Sequence, residues 1–284
     1  MSWPIQESAM PNNRNKYKRI PASLRAGAIL IGALLTLSIL APVLSSYAPD
    51  TMKTDELLSA PSGRHLMGTD QLGRDVFSRF LYGSRISLTV GVLIIVMAGT
   101  LGIFIGSVAG YFGGGIDQLF MRFTDVMLCF PVFFLILSVV AVIGSSAFNI
   151  ILILGLTGWM GLARLVRAEI LSLKTREYVL VARAYGSSHL RLILKHLIPN
   201  AAAPIIVTLI LGIASAILAE SSLSFLGVGI QPPTPSWGNM LNDARETLGA
   251  AWWMSVFPGL GIFSAILGFH LIAEGLKQAF GERA

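Results

Sequence analysis

The chain has 284 residues, of which 54% are hydrophobic and 13% charged. Soluble domains carry about 25% charged residues, so a water-soluble enzyme or regulator is excluded and an integral membrane protein is indicated. The net charge of +6 is spread between apolar runs, as expected of the Lys and Arg that membrane proteins keep on the cytoplasmic side, and it gives no case for nucleic acid.

Residues 1–25 form a basic tail, with Arg14, Lys16, Lys18, Arg19 and Arg25. The apolar run 26–47 exceeds a signal-peptide core of about 7–15 residues. It is therefore expected as an uncleaved first transmembrane helix, although Ser46-Tyr47-Ala48 faintly resembles a cleavage site. Residues 48–85 form an extracytoplasmic loop in which 68–82 predicts a short amphipathic helix. Thr69 or Asp70 would cap it, Val76, Phe77, Phe80 and Leu81 would make its apolar side, and Arg74, Asp75, Ser78 and Arg79 would stay polar. Such a helix suits the outer membrane surface, with Gly68, Thr69, Asp70, Gly73, Arg74 and Asp75 as a structural brace, for which a partner subunit is one candidate surface. Asp70 and Asp75 lack the alternating ligands and central glycine of a calcium loop.

Residues 86–276 read as a five-helix core, giving an all-α protein with about six spans. The core spans are 86–110, 119–143 interrupted at Pro131, 148–167, 202–228 and 252–276, each near the roughly 20 residues a bilayer needs. Gly102, Gly106 and Gly110 form a small-xxx-small stripe that lets two backbones approach, and Gly155, Gly158 and Gly161 are expected to do the same. The one cysteine, Cys129, excludes an internal disulfide and reads as a packing residue. His65, His189, His196 and His270 are scattered without a completing set of ligands, so no metal is expected.

The basic tail and the basic segment 164–195 are separated by four spans and share a side, which the charge rule makes the cytoplasm. The C-terminal tail, 277–284, falls on the same side. The loop between the first two spans dissents, with five basic residues among five acidic ones.

Cytoplasmic loop 169–200 holds the most informative stretch, EYVLVARAYGSSHLRLILKHLIP. Tyr178, Val181, Ala182 and Tyr185 recur at helical spacing, as do Leu190, Ile193, Leu194 and Leu197. Gly186 suits the end of the first helix, Ser188 the cap of the second, and Pro199 its stop. Two short amphipathic helices joined by a tight bend are predicted. Docking of such a helix into a groove on a soluble motor explains the pattern better than a membrane-surface loop or a DNA-binding helix-turn-helix.

Here the sequence resembles the permease subunits of bacterial ABC importers of the dipeptide/oligopeptide/nickel type. Their cytoplasmic loop opens Glu-Ala-Ala, has glycine four residues after the second alanine and ends Leu-Pro. This chain matches at Ala182, Gly186, Ile198 and Pro199, with isoleucine for leucine, and departs at Leu180 and Val181. The peptide-type pattern is met by Glu177, Tyr178, Val179, Ala182, Arg183, Ala184 and Gly186. GTDQLGRDV at 68–76 and LSFLGVG at 223–229, followed by QPPTPSWG at 231–238, resemble two further stretches of that branch.

The resemblance implies a type I importer permease of the inner membrane with cytoplasmic termini. It implies a second homologous permease as a heterodimer partner, a solute-binding protein, and two cytoplasmic ATPases that hold ATP and Mg. The coupling contacts would fall on Glu177, Tyr178, Ala182, Arg183, Ala184, Gly186, Ser187, Ser188, Ile198 and Pro199. The chain has no Gly-x-x-x-x-Gly-Lys-[Ser/Thr] loop, so neither a cofactor nor a catalytic residue of its own is expected. Gly212, Ala216, Glu220 and Ser224 lie four apart in the fifth span. A charge within a span faces protein or water, and both roles, a helix lock and a wall of the substrate route, stay open. The alternative function is an ion-gradient-driven secondary transporter. It would need mid-membrane carboxylates and inverted repeats, for which Glu220 is a thin basis.

Overall fold

A computed structural model describes residues 20–281; the basic residues Arg14 to Arg19 and the last three positions lie outside them. Helix α1 spans Ala22–Ile39. It breaks at Leu40 ahead of a single turn, Ala41–Leu44, that carries Pro42, because proline removes a donor and crowds the preceding carbonyls. The first span therefore starts and ends earlier than 26–47.

Helix α2, Val76–Phe112, is continuous over 37 residues, about 56 Å at 1.5 Å per residue. This corrects the expectation of a separate surface helix at 68–82. Residues 68–75 are loop, with one isolated bridge between Thr69 and Asp75. Asp75, rather than Thr69 or Asp70, caps the helix by accepting from the Ser78 backbone N–H at 2.8 Å. Val76 through Leu81 are the first turns of the second span. Arg74, Asp75, Ser78 and Arg79 are buried rather than solvated.

Helices α3, Gly114–Cys129, and α4, Val132–Ile143, meet at 80°. Pro131 between them cannot complete the helical ladder, so the third span is sharply bent. Helices α5, Ala147–Thr157, and α6, Met160–Leu173, together make a span six residues longer at its end than expected. Then come α7, Glu177–Ala184, and α8, residues 189–200. The remaining helices are α9, Ala202–Phe225, α10, Trp237–Ala244, and α11, Trp253–Gly281. Among the described residues, five helices or helix pairs are long and apolar enough to cross a bilayer, and six if the bent pair is one span.

Close backbone approach holds the bundle together. A Cβ at Gly106 would lie 2.5 Å from the Ala163 carbonyl oxygen, and one at Gly110 2.9 Å from that of Arg167, so α2 and α6 touch along this stripe. Gly155 packs against Met97 in the same manner, but Gly161 has nothing within 4 Å and lies on an open face, so it is not a packing glycine within this chain. The first and last spans also meet through glycine, a Gly27 Cβ falling 2.7 Å from the Gly268 carbonyl. Without a hydrophobic drive inside lipid, such backbone contact is the main source of helix association.

Candidate functional site

Both ends of the bundle are built structures. At one end α7 and α8 form the hairpin. The α7 terminus is a full Schellman motif: Ser187 N–H donates to Ala182 O at 3.1 Å and Gly186 N–H to Arg183 O at 3.0 Å. Gly186 sits at φ +80°, a left-handed conformation that suits glycine. The Ser188 hydroxyl accepts from the Arg191 backbone N–H at 3.4 Å and caps α8. The hairpin is tied to the spans through Tyr111, whose hydroxyl lies 2.7 Å from His189 Nδ1, and through Lys174, which donates to the Gly110 carbonyl at 2.8 Å. Arg167 grips Asp117 with two bonds of 2.5 and 2.6 Å.

The faces of the hairpin differ from those that periodicity predicts. Val179, Leu192, Ile193 and Leu197 are buried against Val166 and Ile170. Tyr178, Val181, Leu190 and Leu194 turn outward, and Tyr185 is 88% exposed. The buried face thus lies about one residue away from the expected stripe and leaves a second apolar face uncovered. Ala182 packs beside the core, whereas Glu177, Arg183, Ala184, Gly186, Ser188 and Pro199 are exposed. Ser187 and Ile198 are half-buried. Pro199 does not stop α8. The helix widens to π geometry over Leu192–Leu197, continues through Ile198–Asn200 and turns at Ala201. Asn200 Nδ2 donates to the His196 carbonyl at 2.6 Å, pairing an acceptor near the widened turn.

At the other end, the brace residues Asp70 and Arg74 join a charge quartet in which Asp70, Arg74 and Arg79 are buried and Asp243 is partly exposed. Asp70 accepts from the Leu72 and Arg74 backbone N–H groups, each at 2.9 Å, and from Arg74 Nε at 2.6 Å. Arg74 and Arg79 then both donate to Asp243 Oδ2 on α10, at 2.9 and 3.0 Å. Burial pushes the Asp243 carboxyl above its ordinary value, with Arg79 and then Arg74 pulling it back. Gly73 is required here, since a Cβ would sit 1.8 Å from the Lys53 carbonyl oxygen. Trp253 Nε1 donates to Thr69 O at 3.0 Å, just after Gly68. His65 lies between Asp75 Oδ1 at 2.8 Å and Glu56 Oε2 at 3.0 Å. Lys53 and then His65 hold Glu56 below its usual range. The expected brace is therefore formed within the chain, against Asp243 and Trp253, which sequence reading missed because they lie more than 160 residues away.

Glu220 is fully buried beneath this end. It accepts from the Ser224 hydroxyl at 2.7 Å, and Ser224 in turn accepts from the Ile230 backbone N–H at 3.0 Å. Ser87 accepts from the Trp237 backbone N–H at 3.2 Å. A Cβ on Gly212 would press on Ile95 of α2 at 2.8 Å, and Ala216 is buried. The stripe of Gly212, Ala216, Glu220 and Ser224 thus faces α2 and the loop before α10, an interface between elements of this chain. Among the described residues no group of three or more His, Cys, Asp or Glu side chains could hold a metal ion.

Among the described residues, up to six candidate spans packed by small residues, with an amphipathic hairpin at one end and an ionic clasp at the other, define a multi-pass membrane protein. The chain belongs to the family of binding-protein-dependent transport system inner membrane components, whose sequence profile matches residues 102–283. It is 38% identical over 276 residues to the dipeptide transport system permease protein of Alkalihalophilus pseudofirmus, covering 96% of this chain and 91% of the relative. It is 37% identical to the oligopeptide transport system permease protein of Bacillus subtilis, with 89% and 83% covered. It is also 37% identical to the glutathione transport system permease protein of Pectobacterium atrosepticum, with 93% and 88% covered. The chain is the permease subunit of a binding-protein-dependent ABC importer, and the ion-gradient alternative is set aside.

Proposed function

We propose that the chain forms one half of a route by which peptides enter the cell, in a heterodimer with a second homologous permease. The hairpin end faces the cytoplasm, together with both termini, and the clasp end receives the solute-binding protein. Two ATPases bind ATP and Mg, and one of them takes α7 and the bend into a surface groove. Closure of the ATPases drags the hairpin, and the ties from Tyr111, Lys174 and Arg167 pass the movement to α2, α3 and α6.

The observation that carries this reading is the second apolar face of the hairpin. Tyr178, Val181, Tyr185, Leu190 and Leu194 are exposed around a bend held rigid by the Schellman bonds, a shape suited to helix-in-groove recognition. Peptide as cargo is carried over from the names of the relatives. The test is a Gly186→Val, Glu177→Arg variant in the full complex. Co-purification of the ATPases and peptide-stimulated ATP hydrolysis should both be lost, while the variant still reaches the membrane. Undiminished association and coupling would refute docking at this hairpin.

A further inference from the structure

Helix α3 presents three faces. Phe120, Thr124 and Met127 turn toward the bundle. Leu119, Phe123, Val126 and Phe130 are exposed and apolar, as a lipid-facing surface requires. The third face holds Gln118, Arg122, Asp125 and Cys129, all exposed. It is offset by one residue, about 100° around the helix, from the apolar one. A helix surrounded by lipid would not divide its exposed surface in this way.

The polar face continues onto α6. There Gly161, Arg164 and Ala168 are exposed, and Gly161 has open space before it. Arg164 Nη2 and Asp125 Oδ1 meet at 2.5 Å and join the two helices. The side chains of this pair are 51% and 60% exposed, unlike the buried clasp at the far end. Asp125 lies 11 residues into α3 and Cys129 15 residues in, about 17 and 22 Å along the helix from its first residue, Gly114. Charges and a thiol at that depth, open on one side, require water or a polar partner.

We infer that this face is the chain's wall of a water-filled route, and that Asp125 and Arg164 receive the charged ends of a peptide in transit. The inference rests on the proposed function. A free peptide presents one ammonium and one carboxylate; Asp125 can accept from the first, and the guanidinium fork of Arg164 can hold the second. While the route is empty the two side chains neutralise each other. Arrival of a zwitterion exchanges one ion pair for two, so neither side chain is left unpaired when the peptide enters or leaves. The adjoining Gly161 and Ala168 leave room for peptide side chains without selecting among them.

Cys129 is the only cysteine in the chain and serves as a native probe. In the complete transporter reconstituted in vesicles, a membrane-impermeant, sulfonate-bearing thiol reagent should label Cys129. Saturating alanyl-alanine should slow the labelling about tenfold, whereas the same dipeptide acetylated and amidated should not. Arg164→Gln should leave the labelling intact and abolish the protection. Reaction with a lipid-soluble maleimide alone would overturn the inference, since the face would then meet lipid or a sealed interface. Equal protection by free and blocked dipeptide, or by neither, would overturn the assignment of Asp125 and Arg164. Failure of the complex to accumulate alanyl-alanine with ATP would instead refute the proposed function, a separate readout from Cys129 labelling.

Discussion

Replacing Arg79 by methionine tests the clasp most directly. Arg79 is 2% exposed and approaches two carboxylates, Asp243 at 3.0 Å and Asp70 at 3.7 Å. Its loss leaves two acids around the single guanidinium of Arg74, with Asp243 still largely withdrawn from water. Breaking a buried pair by removing one partner costs about 3–5 kcal/mol. The lower end, about 3 kcal/mol, applies here because Arg74 keeps its 2.9 Å contact with Asp243. That amounts to roughly a hundredfold in the folded-to-unfolded ratio, at about 1.4 kcal/mol per tenfold.

The loss should depend on pH. The Asp243 carboxyl is raised by burial, so its contribution to stability is full below its unfolded value and is lost as pH rises through the raised folded value. Without Arg79 that window widens upward, and the variant should be nearly as stable as the parent in acid and weakest in alkali. The double variant Arg79→Met, Asp243→Leu removes one charge of each sign and keeps the 2.6 Å Asp70–Arg74 pair. It should match or exceed the parent, as replaced buried ion pairs often do. The assay is the denaturation midpoint in mixed micelles, read from tryptophan fluorescence, because Trp237 and Trp253 are buried near the clasp. A double variant as weak as the single one, or a single variant indifferent to pH, would refute the reasoning.

Gly106→Ala should cost about 1–3 kcal/mol of stability through overpacking and lower the same midpoint accordingly, since the added carbon falls 2.5 Å from the Ala163 carbonyl. Gly161→Ala should be silent in that assay, because its Cβ meets nothing within 4 Å. Glu220→Gln can still accept the 2.7 Å bond from Ser224 and should keep assembly and uptake near the parent. Glu220→Leu strands buried hydroxyls at about 1–3 kcal/mol and should reduce the yield of complex; equal harm from both substitutions would mean the carboxyl itself is needed.

How much was legible depended on how far each cause lies along the chain. The bend at Gly186 and the cap at Ser188 are set by residues within five positions, and the sequence names them directly. The apolar lengths likewise announce six spans, and the break at Pro131 is visible, though its 80° angle is not. Arg74 and Arg79 were misread as solvated because their acceptor, Asp243, follows by 169 and 164 residues; helical periodicity carries no trace of such a partner. Pro199 misled for another reason: the rule that proline ends a helix omits the π turn that lets α8 pass through it. In the hairpin, spacing found amphipathic helices but not which side the bundle covers, since hydrophobic residues run nearly all round α8.

The separation of the clasp residues also bears on how the chain is made. Synthesis at about 5–20 residues per second puts roughly ten to thirty seconds between the emergence of Arg79 and that of Asp243, 164 positions later. Through that interval Asp70, four residues before Arg74, is the nearby counter-charge, and the second span must enter the bilayer with its clasp end still unfastened. The last two spans are therefore not merely added to a finished bundle: their arrival fastens the first half, and a ribosome that stalls before α10 leaves a protein inserted but open.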